Sequence, residues 1–157
     1  FGAAVRTPTG AGQRRATAAP ADHPLTFDIN VVNDGSGADR FTVAGEPAVP
    51  GFRVQYFDGT GANITRAVKA GTYRTSRLEA GASTLVHLVI TPKASTPTGA
   101  AVTRRVTVTS RRDPRSVDAV KATLAAGPLP SLGPVPQAAE AEAQLAAALP
   151  ALLCPLG

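Results

Sequence analysis

Two histidines, His23 and His87, supply all the imidazole in this 157-residue sequence. General-base and nucleophilic catalysis near neutral pH most often route a proton through such a group. His23 falls between Pro20 and Pro24 in a stretch without hydrophobic period, whereas His87 lies inside the apolar run Ser83 to Thr91. The run reads as a strand with His87 on its less buried face, so neither histidine is assigned a catalytic role. Zinc and nucleotide chemistry also lack their signatures, because the chain has no Cys-x-x-Cys, no His-x-x-x-His and no phosphate-cradling glycine loop. The reading is a protein without catalytic, cofactor-binding or metal-ligating residues, and not an enzyme.

Oxygen-rich turns offer a second chemistry. Asp34, Asp39 and Asp58 stand in or beside glycine-containing turns, and calcium takes its ligands from loops of this composition. The EF-hand spacing is absent, however, and aspartate in a turn ordinarily bonds its own backbone. Asn63-Ile64-Thr65 fits the N-glycosylation acceptor pattern. Arg104, Arg105, Arg111, Arg112 and Arg115 form the densest basic cluster. Phosphate attraction needs such charge, but single-strand recognition adds stacking aromatics and none stands nearby. A solvated strand edge, where charge discourages unwanted pairing, is the favoured reading over nucleic acid.

The elements that must carry these residues are strands. Leu25, Phe27, Ile29 and Val31 alternate with polar residues, which puts one apolar face on a half-buried strand. Asn33-Asp34-Gly35-Ser36-Gly37 ends it in a turn, and Asp39 to Val43 follows as a second strand. Phe52, Val54 and Tyr56 repeat the period up to Asp58-Gly59. Shorter β segments are expected at Asn63 to Val68 and Thr72 to Thr75. Apolar residues on both faces make Ser83 to Thr91 a central strand. Val102, Arg104, Val106 and Val108 share one face of the next, with Arg104 expected where the strand leaves the core. After Asp113-Pro114 the last strand carries Val120, Ala122 and Leu124. Seven or eight short strands with regular turns call for an all-β, immunoglobulin-like antiparallel β-sandwich.

Three segments follow: residues 1–24 as an extended arm that can supply an edge strand, residues 25–126 as the sandwich, and residues 127–157 as a Pro-rich linker with a short helix. Proline at positions 20 and 24 confines any strand in the arm to an edge. Pro128, Pro130, Pro134 and Pro136 mark the linker, and the Ala- and Glu-rich Gln137 to Leu149 has high helix propensity. The core must be aliphatic, since the chain has five Phe, two Tyr and no Trp or Met. Net charge is +5, all of it within Leu25 to Leu124, which favours acidic surfaces as partners. No apolar run is long enough for a membrane span, and the Cys-Pro-Leu-Gly end lacks the pattern of a lipid anchor. Cys154 has no partner in the chain, so any disulfide it forms is intermolecular. With Phe1 first and no Met, an export signal is expected to have been removed.

Three stretches carry a resemblance: LTFDINVVNDGSGADRFTV, LEAGASTLVHLVITP and VTRRVTVTSRRDPRSVDAVKATL. Their order and spacing resemble the Ig-like modules of bacterial extracellular proteins, namely the cell-adhesion-related bacterial domain and the module that accompanies carbohydrate-binding domains in secreted glycosidases. The resemblance spans about residues 25 to 124. It implies an extracellular or cell-surface structural or adhesion module, such as a subunit of a filament, with no shared catalytic residues. An accessory domain of a secreted carbohydrate-active enzyme is the alternative, and a polyanion or nucleic-acid binder the weaker one. The expected partners are other protein subunits, contacted through residues 1–24 and 145–156.

Overall fold

The computed structural model describes residues 8–10 and 12–128 of the chain. The expected helix at 137–149, the segment 145–156 and Cys154 lie outside the described residues, as does most of the Pro-rich stretch. Eight strands and one short helix follow in chain order: β1 (Arg14–Ala19), β2 (Leu25–Val32), β3 (Phe41–Gly45), β4 (Phe52–Asp58), α1 (Thr65–Lys69), β5 (Tyr73–Arg74), β6 (Ser83–Pro92), β7 (Ala101–Ser110) and β8 (Val117–Ala126).

The strands form two sheets, one ordered β1-β8-β7-β3-β5 and the other β2-β6-β4. Immunoglobulin-type sandwiches place their second, fifth and fourth strands on one sheet against the third, sixth and seventh on the other. Here β2-β6-β4 faces β3-β7-β8, and the fold is an Ig-like sandwich. The alternation legible in the sequence builds its interior. Phe27, Ile29 and Val31 of β2, Val86, Leu88 and Ile90 of β6, and Val106, Ala122 and Leu124 of the opposite sheet are all buried. Each large aliphatic side chain so enclosed contributes about 1.5–3 kcal/mol. The central position expected for Ser83 to Thr91 holds, because β6 pairs with β2 on one side and β4 on the other.

Three features differ from the sequence reading. The sandwich is not wholly antiparallel: β1 lies parallel to β8, from Arg14 opposite Lys121 to Ala19 opposite Ala126. Ala19 is buried, so this part of the arm belongs to the folded unit. Asn63 to Val68 is not a β segment, since Thr65–Lys69 is helical. Its start is held by side chains: Asn63 Oδ1 accepts from the Thr65 amide at 3.0 Å, and Thr65 Oγ1 accepts from the Tyr56 amide at 2.8 Å. The helix carries the chain from one sheet to the other and buries Val68 against both β3 and β4. Finally, Arg104 does not leave the core; it points between the sheets with only 6% of its surface exposed.

The two ends of the sandwich are built differently. At one, the turns following β2, β5 and β7 converge, and this is called the turn pole. At the other, proline-containing segments meet: the Asp22 amide donates to Pro92 O, Lys93 to Gly51 O, and Gly127 to Ala19 O.

Candidate functional site

Asn33 and Asp39 sit at the turn pole, where their polar atoms are engaged by the surrounding turns. Asn33 is buried. Its side-chain amide donates to Gly37 O, Leu78 O and Glu79 O at 2.9, 2.9 and 3.1 Å, while its Oδ1 accepts from the Gly35 amide. Asp39 Oδ1 accepts from the amides of Arg40 and Arg112, and its other oxygen accepts from the Ser110 hydroxyl. Burial pushes the Asp39 carboxyl up, yet these donors and the Arg112 charge outweigh it and hold the group below the ordinary carboxylate range. One amide and one carboxylate thus staple the turns after β2, β5 and β7 together.

Asp58 performs a similar local task. Its Oδ1 accepts from the Thr60 hydroxyl and from the Thr60 and Ala62 amides, which together lower its pKa. Oxygens engaged in this way are poorly placed to serve a cation. Asp34, Asp39 and Asp58 do not converge, and among the described residues no group of three His, Cys, Asp or Glu side chains is placed to hold a metal. Asn63 of the glycosylation triplet is exposed beside α1.

The histidines are apart from one another. His23 lies in the exposed turn between β1 and β2. His87 sits on the outer face of β2-β6-β4, with Nδ1 2.7 Å from Asp28 Oδ1 of the neighbouring strand. Among the described residues, the side chain bonded to His87 is the Asp28 carboxylate.

The basic cluster is split by the fold. Arg111, Arg112 and Arg115 occupy the turn between β7 and β8. Arg104 enters the core and donates to Glu46 Oε2 at 3.3 Å. Nearby, the Tyr56 hydroxyl is buried without a hydrogen-bond partner, and so is Arg104 Nε. Burial pushes the Tyr56 phenol up to about 12. Arg105, one residue on, points the opposite way, onto the outer face of the five-stranded sheet. There it stands opposite Lys121 of β8, which stands opposite Arg14 of β1. This row of three cations was missed in the sequence. The alternation of Val102, Arg104 and Val106 and of Val120, Ala122 and Leu124 already turns Arg105 and Lys121 outward, and folding back at Asp113 pairs them. Nothing local announces that Arg14 joins them.

A cleft of about 130 Å³ opens along the flank between β2 and the first half of β8, lined by Ile29, Val31, Phe41, Val108 and Val120 among others. Within the described residues β2 is an edge strand, and the β1 ladder spans only the Lys121–Ala126 half of β8.

No known protein family matches the sequence, and no curated protein does. Solved structures with similar strand arrangements include a family 123 glycoside hydrolase from Clostridium perfringens, with a TM-score of 0.49 and 8% identity over 76% of this chain. This chain spans about a quarter (24%) of that enzyme's length. A PapD-like domain of human CEP192 matches with a TM-score of 0.42 and 10% identity over 76% of this chain and 82% of its own. The N-terminal domain of PorA gives 0.43 and 10% over 74% and 90%. These similarities are distant, and no residue role is taken from them.

Proposed function

We propose that this chain is a non-enzymatic structural module of an extracellular or cell-surface assembly, joined to neighbouring copies through the segment after β8. The observation that carries the reading is the path of the chain through the sandwich. Gly10 lies beside Ala119, in the half of β8 nearer the turn pole, and Gly127 leaves β8 at the proline end, beside Ala19. Seven residues of β8 separate these points, which is about 23 Å of strand. A chain that enters towards one end and leaves at the other suits modules joined in line. The commitment of Asn33, Asp39 and Asp58 to backbone staples supports the same reading, since it favours rigidity over chemistry.

The arm and the tail are not equivalent as contacts. Arg14–Ala19 is already spent in its own sheet, which removes the best-patterned part of residues 1–24 as a donor to another subunit. The apolar segment 145–156 then becomes the contact, and the flank of β2 the acceptor, because an edge strand and an apolar cleft together can take an added strand. A disulfide through Cys154 would join the tails of two copies to each other, since the chain has one cysteine.

Sedimentation of the full chain over a range of concentrations, with and without reductant, tests this. Self-association that disappears when residues 129–157 are removed, with the β-sheet melt retained, is the expected result. A full chain that stays monomeric at high concentration under oxidising conditions refutes the assembly.

A further inference from the structure

We infer that the outer face of the five-stranded sheet is a binding platform for an acidic polysaccharide, centred on Arg14, Lys121 and Arg105. The inference does not depend on the assembly reading. Three adjacent strands contribute one cation each to a single row: Arg14 is the partner of Lys121, and Lys121 of Arg105. With neighbouring strands about 4.8 Å apart, the row extends about 10 Å across the sheet.

Like charges placed opposite one another in a sheet are unfavourable, so the row calls for a reason. Protection of a sheet edge explains a cation on an edge strand, which covers Arg14 on β1. It does not cover Lys121 and Arg105, because β8 and β7 are interior strands of this sheet. Neutralisation within the protein is partial. Glu46 is the acidic group at the rim of this face, and it divides itself between the buried Arg104, the Arg105 amide and, at 4.0 Å, Arg105 Nε. A surface that concentrates one sign of charge on rigid backbone attracts the opposite sign from solution.

The surroundings select the ligand class. The next row of the same face pairs Thr103 with Thr123, their hydroxyls 2.9 Å apart, and Thr107 and Thr109 follow on the other side of Arg105 along β7. Hydroxyls beside cations suit a polymer that carries a carboxylate on each sugar and hydroxyls between them. Nucleic acid would add base stacking on aromatic side chains. The register places no aromatic residue on this face among the described residues, where the strands present Arg14, Lys121 and Arg105, threonines and alanines, and Val117 and Arg74 nearer the turn pole.

The test uses the full chain and an end-labelled oligogalacturonate, with a neutral maltooligosaccharide and an oligothymidylate as comparisons, read by fluorescence anisotropy at low and raised salt. The wild-type chain is expected to prefer the oligogalacturonate and to lose it as salt rises. Combining Arg105→Gln with Lys121→Gln should weaken binding at least about tenfold, whereas Arg66→Gln with Lys69→Gln on α1, an equal change of charge, should weaken it less than about twofold. Both pairs are expected to melt no lower than wild type by more than a few degrees, which keeps folding out of the comparison. The inference is overturned by absence of binding at low salt, by equal losses in the two variant pairs, or by equal binding of the neutral glycan. Tighter binding of the oligothymidylate would overturn it in favour of nucleic acid.

Discussion

Replacing Asn33 with aspartate keeps the shape of the side chain and reverses the sense of its hydrogen bonding. The native amide donates to three carbonyl oxygens drawn from two different turns. A carboxylate there has nothing to donate and faces those oxygens with a negative charge, in a site only 2% exposed. Two lost donors account for about 2 kcal/mol at roughly 1 kcal/mol each, and an uncompensated buried charge brings the total to about 3–5 kcal/mol. Asn33→Ala removes the same donors without the charge. Leu78 O and Glu79 O then still accept from the Asp39 and Ala82 amides, so its cost should stay near 2 kcal/mol. A carboxyl pressed against carbonyls has a raised folded-state pKa, and the stability of such a state is lost as pH rises through that value. The deficit of Asn33→Asp should therefore be smaller at about pH 5 than at about pH 8, while that of Asn33→Ala stays level. Urea unfolding followed by far-ultraviolet circular dichroism measures both, because the chain lacks Trp as a fluorescent reporter. An Asn33→Asp cost below about 1 kcal/mol at neutral pH, or one that grows on acidification, would refute the view that this amide holds the turn pole together.

Three further outcomes follow from the same geometry. Asp39 is held below its ordinary pKa, so the stability it contributes is present above the unfolded value and is lost as pH falls through the folded one; Asp39→Asn should flatten the acid limb of a stability-against-pH curve, at a cost of about 1–3 kcal/mol at neutral pH. Tyr56 carries a buried hydroxyl without a partner, so Tyr56→Phe should be neutral or stabilising by up to about 1 kcal/mol in urea unfolding. Because the phenol is raised to about 12, the native chain should lose stability as pH rises above the unfolded value near 10, and the Phe variant should lose less over that window. Gly45 sits so close to the Tyr56 ring that an added Cβ would fall 2.6 Å from Cζ; Gly45→Ala should lower the melting temperature through about 1–3 kcal/mol of overpacking, and Tyr56→Phe should restore only part of it.

Strands were legible where burial is one-sided. Leu25 to Val31 announces its inward face because every second residue is apolar, and β7 and β8 can be paired from the turn at Asp113 alone. The path of β1 was not, since its partner β8 lies about a hundred residues away in sequence and a parallel ladder leaves no local signature. Asn63 to Val68 is rich in β-branched residues, yet the side chains of Asn63 and Thr65 bond the backbone in a way that starts a helix, and propensity yields to that crossing between sheets. Arg104 shows the opposite conflict. Its period places it inside and its charge argues for the outside; the fold follows the period and supplies Glu46, 58 residues away, as counter-ion. The cation row was legible in two of its three members, because alternation settles Arg105 and Lys121, while Arg14 required the parallel pairing. The turn residues were found as turns, but the staples they form across three loops depend on contacts such as Asn33 with Leu78, 45 residues apart.

The parallel course of β1 and β8 also determines how the module would respond to tension. A pull on residue 10 towards the turn pole and on Gly127 towards the opposite end draws β1 and β8 past each other along their common axis. The backbone bonds from Arg14–Lys121 to Ala19–Ala126 are then loaded together, instead of opening one after another as they would if the two strands were peeled apart sideways. Rupture must break the ladder as a unit, which makes the first and last strands of this sandwich a shear clamp.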